Sequence, residues 1–325
     1  MRVFLCGSCG APIDSPWTEL VIVCPYCGVS NYPGRPDKPV PLRIPVDGRP
    51  RVNVGGRTYV VEGQLAQGDS SSVFRGRWVV RLGELVVIKV QRAVADGDLM
   101  RREWDIINEL RGSDAQGASH YVTRLPSPIA FGSVGVDPPR LASIYGWKSG
   151  FIHSLDDVRR IHLTGVEGRI VVWFLKRVLE MLGWLHRSGF AHGAVVPSHV
   201  MIHPRDQGAN LVGFSVAARI GQPVIAVSQA GREFYAEDYE PGRVASPETD
   251  IAMACRCASA LGGWASPNWG AGAPEALRSV LQRGCAKRVN DAWELRDALV
   301  EASLQDFGAP AYNPLPMPGW AHADA

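Results

Sequence analysis

The chain has 325 residues, enough for a two-lobed domain with a large core plus a small module. Its 34 basic and 32 acidic residues leave a formal net charge of +2, so nothing in the overall charge favours nucleic acid or anionic lipid as a partner. No apolar stretch approaches the length of a membrane span, and residues 1–5 reach Cys6 before a signal-peptide core develops; the sequence points to a cytoplasmic protein with no membrane association.

Four of the seven cysteines fall in the first 27 residues, as the pairs Cys6/Cys9 and Cys24/Cys27, with Gly10 and Gly28 directly after them. Two residues between thiolates let one tight knuckle present both sulfurs to a single ion, and the following glycine permits the turn that aims backbone N–H groups at sulfur. Four thiolates in tetrahedral geometry favour zinc and leave no open position. Cys6, Cys9, Cys24 and Cys27 therefore read as a structural zinc site, with a redox disulfide pair as the alternative. Residues 1–32 resemble a zinc ribbon of the rubredoxin-like kind, with a β-rich run at 17–23 between the knuckles. The first 34 residues carry only Arg2, Asp14 and Glu19 as charged groups, so the ribbon is expected to contact a protein partner or its own neighbouring domain rather than phosphate. Residues 33–54 contain six prolines and read as an extended linker.

From about Gly55 the pattern changes to short β-rich runs at 58–67, 72–80 and 84–90, whose tight connections predict an antiparallel sheet. Leu99, Ile106, Ile107 and Leu110 fall at helical spacing in LMRREWDIINEL. Strand-like sequence continues to about Tyr145, and the remainder is mainly helical. The longest predicted helix covers 168–189 and stops at Gly189. Cys255, Cys257 and Cys285 lie in apolar or helical surroundings and read as packing thiols.

Residues 55–303 resemble the protein kinase fold. The resemblance implies an α+β domain with a β-rich amino-terminal lobe, about 55–145, and a helical carboxy-terminal lobe, about 146–303. LAQGDSSSVF resembles the glycine-rich loop, with Gly68 and Val73 at matching places; VVIKV resembles the strand with the phosphate-binding lysine, here Lys89; and EWDIINEL resembles the helix whose glutamate, here Glu103, pairs that lysine. WLHRSGFAHGAVVPSHVMI is similar to the catalytic loop, NLVGFS occupies the place of the DFG segment, and SPE that of APE. Asp250 matches the aspartate that opens the long central helix, with hydrogen bonds expected from the 192–194 backbone. Arg288 matches the arginine expected to pair Glu248.

Phosphoryl transfer in this fold needs a carboxylate to accept the substrate proton, plus an asparagine and an aspartate to hold magnesium. The alignment places Ala194 at the proton acceptor, His199 at the asparagine and Gly213 at the metal-binding aspartate. Between Leu185 and Gly221 the only acid is Asp206, in a predicted turn. Histidine is a poor ligand for magnesium, so magnesium dependence is not expected; His192, His199 and His203 read as packing or surface groups rather than a second metal site. Nucleotide binding stays open: Lys89 in an apolar strand needs a partner such as Glu103 whether or not ATP binds, and Ala66 and Ser71 replace two loop glycines.

The resemblance thus implies a pseudokinase, a catalytically inactive homologue acting as a protein-binding scaffold or allosteric regulator, with the ribbon as a second contact. The alternative is an atypical ATP-dependent phosphotransferase or nucleotidyltransferase that relies on Lys89 and Glu103. Residues 304–325 read as a proline-rich, extended tail.

Overall fold

Two short antiparallel ladders open the chain, β1 (Arg2–Leu5) with β2 (Pro12–Ser15) and β3 (Ile22–Val23) with β4 (Ser30–Asn31). The computed structural model describes residues 2–5, 11–15, 22–27, 30–31, 49–135, 139–229, 231–236, 239–265 and 268–317. Cys6 and Cys9, and residues 17–21 of the predicted ribbon strand, lie outside them. Cys24 and Cys27 lie in the turn after β3, and both are buried.

The period-two alternation that begins at Arg51 yields a six-stranded antiparallel sheet. Its strands are β5 (Arg51–Val54), β6 (Arg57–Gln67), β7 (Ser71–Trp78), β8 (Arg81–Gln91), β9 (Pro128–Val134) and β10 (Arg140–Gly146), in the order β5-β6-β7-β8-β10-β9. β5 falls inside the stretch read as linker. Val52 and Val54 alternate there between Pro50 and the Gly55-Gly56 turn, which makes a short edge strand in a proline-rich setting. Alternation along β8 divides its side chains between two faces. Val86 and Ile88 join Val54, Tyr59, Ala130, Ala142 and Ile144 in one apolar cluster, whereas Leu85, Val87 and Lys89 fall on the opposite face. There Leu85 clusters with Ile13, Cys24 and Cys27, and Tyr26 and Trp147 pack against them.

The chain forms two compact units, the smaller comprising residues 1–100, 127–152 and 316–325, the larger residues 101–126 and 153–315. Helix α1 (Gly97–Arg111), read from sequence as part of the amino-terminal lobe, contributes most of its length to the larger unit. Its Ile106, Ile107 and Leu110 are buried. The larger unit continues with α2 (Ala118–Tyr121), β11 (His153–Ser154), α3 (Leu155–Ile161) and α4 (Gly168–Arg187). α4 is apolar on nearly every side from Ile170 to Leu185 and is the central core helix, with α5 (Pro247–Leu261) and α7 (Ala292–Phe307) packed on it. Gly183 lets the indole of Trp293 approach the helix backbone, where a β-carbon would stand 2.4 Å from its Nε1.

Two small ladders position the loops: β12 (Phe190–Ala191) pairs with β15 (Ala218–Arg219), and β11, β13 (Val200–His203) and β14 (Gly208–Leu211) form a three-stranded sheet. Asp206 lies in the β13–β14 turn, as predicted. α6 (Glu275–Cys285) packs with α5 and α7. α7 runs to Phe307, four residues into the stretch read as tail, and Gly308 at φ +73° ends it. The extended chain that follows is held in place. Tyr312 donates its hydroxyl to Arg205 O at 3.0 Å, Gln207 Nε2 donates to Asn313 O at 3.0 Å, Asn313 bonds Glu167, and Leu315 is buried. None of the described helices is long and apolar enough to cross a membrane.

Candidate functional site

The segment linking β12 to β13 is folded around one carboxylate. Asp250, in the first turn of α5, has no exposed surface; it accepts hydrogen bonds from His192 N at 2.7 Å and Gly193 N at 2.9 Å, and His186 Nε2 stands 3.1 Å from Oδ2. Turning both amides toward one acid requires Gly193 at φ +72°, a backbone conformation that strains any residue with a β-carbon. The loop's shape thus rests on Asp250 and Gly193.

His192 is buried and neutral. Ala194 N donates to its Nδ1 at 3.3 Å, so the ring proton sits on Nε2, which donates to Val212 O at 3.1 Å. Burial pushes its pKa down to about 4, against a weaker upward pull from Asp250. Its ring meets Phe214 edge-on at 4.6 Å between centroids. With both nitrogens engaged, His192 is a structural group of the loop.

Ala194, which the sequence alignment sets at the proton acceptor, is fully buried, as are Val195 and Val196 on its carboxy-terminal side. Its carbonyl accepts from Val196 N at 2.9 Å and from His199 Nδ1 at 3.0 Å. The His199 ring then lies against Gly213. A β-carbon at 213 would stand 2.6 Å from Cδ2 and 2.7 Å from Cγ and Nε2, so the imidazole fills the space a metal-binding aspartate there would need. His203 is separate from this cluster: its Nε2 faces Asp206 at 3.3 Å across the β13–β14 turn.

The chain after Gly213 closes over the loop. Gly231 presses on Val196, whose Cγ1 is 2.5 Å from where a β-carbon at 231 would lie. Val224, Phe234, Tyr235 and Tyr239 are buried, and backbone bonds pair 221–224 with 242–245. Arg232 Nη1 donates to Tyr239 O at 2.8 Å. Helix α1 is tied to the same segment by Arg102 Nε, which donates to Ala217 O at 2.9 Å, and by the ion pair of Glu109 with Arg219. Neither the Gly231–Val196 contact nor these ties have a sequence signal, because each joins residues distant in the chain through packing or a backbone carbonyl.

In the smaller unit, β7–β8 register places Val73 opposite Lys89. Gly68 N–H is consumed by Ser71 O at 2.8 Å, and Arg92 Nη1 donates to Gly68 O at 2.9 Å, so the loop matching the glycine-rich element is closed by its own bonds. Glu103 is buried on α1 in the larger unit.

Glu248 and Arg288, expected as a pair, form no ion pair among the described residues. Ser246 stands at the N-cap position of α5 and Pro247 opens the helix, which puts Glu248 in the first turn, where its charge suits the helix N-terminus; Arg288 is exposed. An Arg283–Glu294 pair at 3.6 Å links α6 to α7 instead. Among the described residues no group of three or more His, Cys, Asp or Glu side chains gathers as a metal site. Cys255 and Cys257 are buried, with thiol pKa values pushed well up by burial, as packing thiols require.

No protein-family model matches the chain, and no curated protein matches it. Solved structures do. The structure of vaccinia related kinase 3 superimposes with a TM-score of 0.59 at 18% identity, covering 82% of this chain and 94% of that one. The BubR1 kinase domain superimposes with a TM-score of 0.58 at 15% identity, covering 79% and 83%. The chain therefore has a protein-kinase-like α+β fold, with a β-rich amino-terminal region and a helical carboxy-terminal part.

Proposed function

We propose that the chain is a pseudokinase, a catalytically inactive protein kinase homologue that works in the cytoplasm as a protein-binding scaffold or allosteric regulator. The observation that carries this reading is the state of position 194. A general base must come within hydrogen-bond reach of the proton it takes, and here the position is an alanine, with no group to take a proton and no exposed surface. The His199 ring over Gly213 adds to it, since neither residue offers the oxygen that magnesium prefers. Nucleotide at Gly68, Val73, Lys89 and Glu103 is not part of the proposed activity.

The test is incubation with labelled ATP and magnesium or manganese beside a Lys89→Ala control, together with thermal shift against ATP with and without metal. No lysine-dependent transfer is expected; its appearance would establish instead the phosphotransferase reading built on Lys89 and Glu103. We also propose a structural zinc held by Cys6, Cys9, Cys24 and Cys27, in which case metal analysis returns about one zinc per chain.

A further inference from the structure

A module of about thirty residues is too small to bury enough surface to fold alone, and metal binding in such modules is folding free energy. Its second knuckle is nevertheless buried. Cys24 and Cys27 have no exposed surface, and the residues that cluster with them include Leu85 of β8 and Trp147, just beyond β10. Trp147 N also donates to Leu85 O at 3.4 Å, which fastens the exit of β10 to β8 just beyond the Gly146–Val86 pair. Because side chains alternate along a strand, Leu85 lies on the same face of β8 as Val87 and Lys89, so the knuckle rests four residues from Lys89 on the face that presents it.

Trp147 gives a second, independent observation. Its indole Nε1–H is buried and has no acceptor among the described residues. A buried donor left unmade costs about 1–3 kcal/mol. A zinc-bound thiolate cluster carries net negative charge, and its sulfurs accept N–H donors, whereas a neutral thiol accepts weakly.

We propose that metal occupancy of the amino-terminal cysteines sets the rigidity of β8, the strand that carries Lys89, through the contact of the Cys24–Cys27 knuckle with Leu85 and Trp147. The proposal rests on the zinc reading above. With metal bound, the knuckle holds one face of the β8–β10 pair. With metal lost, the knuckle loses the order that keeps it seated, and Leu85 and Trp147 lose the surface that covers them. The ribbon is then a prop of its own sheet, and the partner it fits is intramolecular.

The experiment uses the full chain. Zinc is quantified before and after treatment with EDTA, and amide hydrogen exchange is followed in β8 and, as a control, in α4 and α5, for the natural chain and for Leu85→Ser. The expected result is loss of bound zinc with severalfold faster exchange in β8 and unchanged exchange in α4 and α5. In Leu85→Ser, β8 is expected to exchange fast already and to respond little to chelation. Zinc loss without a change in β8 overturns the coupling and leaves the zinc site standing. A full chelation response in Leu85→Ser overturns this contact as its route. A purified chain without zinc overturns the metal site and the coupling together.

Discussion

The imidazole of His199 lies against the α-carbon of Gly213, 2.6–2.7 Å from where a β-carbon there would stand. A histidine ring at 199 and any side chain at 213 thus compete for one space, at the two positions that the sequence alignment sets at the magnesium ligands. Gly213→Asp alone is expected to destabilise the fold by about 2 kcal/mol through overpacking. His199→Asn removes the ring, and the double variant should recover part of that loss, with a coupling of about 1 kcal/mol or more. Urea denaturation of the four chains of the cycle measures it; additive costs would show that the ring is not the obstacle.

Asp250→Ala leaves the amides of His192 and Gly193 buried without an acceptor. Each orphaned donor costs about 1–3 kcal/mol, so a total near 3 kcal/mol or more is expected from denaturant midpoints. A loss no greater than that of an average surface substitution would refute the carboxylate's part in shaping the loop.

Acid should weaken the fold in a definite window. The folded pKa of His192, about 4, lies below the ordinary 6.5 of an unfolded chain, so between these values the unfolded state binds the extra proton. The contribution is complete above pH 6.5 and is lost as pH falls toward 4, amounting to roughly 3 kcal/mol at 1.4 per unit. His153 and His203, also shifted down by burial, act in the same direction. Stability measured against pH should be flatter across this window in a folded His192→Asn variant than in the natural chain; parallel curves would contradict the assignment.

Truncation after Gly308 removes the bonds of Tyr312 and Asn313 and the buried side chain of Leu315. About 2 kcal/mol of stability is expected to go with Leu315 alone, read as a lower Tm. An unchanged Tm would mean that the tail only rests on the surface.

The order of elements was legible because periodicity is local. The strands of β6 to β8, the helix at 99–110 and the long α4 each announce themselves within about a dozen residues. β5 was not legible, since four residues beside a proline tract have too little pattern to stand out. Alignment singled out positions 194, 199 and 213, and it singled out Asp250, whose bonds to the 192–193 amides the fold contains. What could not be read is how those positions are filled. The approach of His199 to Gly213 and of Gly231 to Val196 depends on where distant segments meet, and Gly231 carries no chemistry to draw notice. Glu248 shows the opposite failure. Its motif was present in the sequence, but it lies only two residues before Asp250 and became part of the helix start.

The tie between α1 and the segment after Gly213 is asymmetric in what each side contributes. Arg102 supplies a side chain, but Ala217 supplies only its main-chain oxygen. The side chain at 217 adds no atom to the tie, and its full burial keeps it small for packing alone, while a single change at 102 removes the donor. The two ends of the tie therefore answer to different kinds of change: Arg102 to its own replacement, and position 217 only to a shift of its main chain.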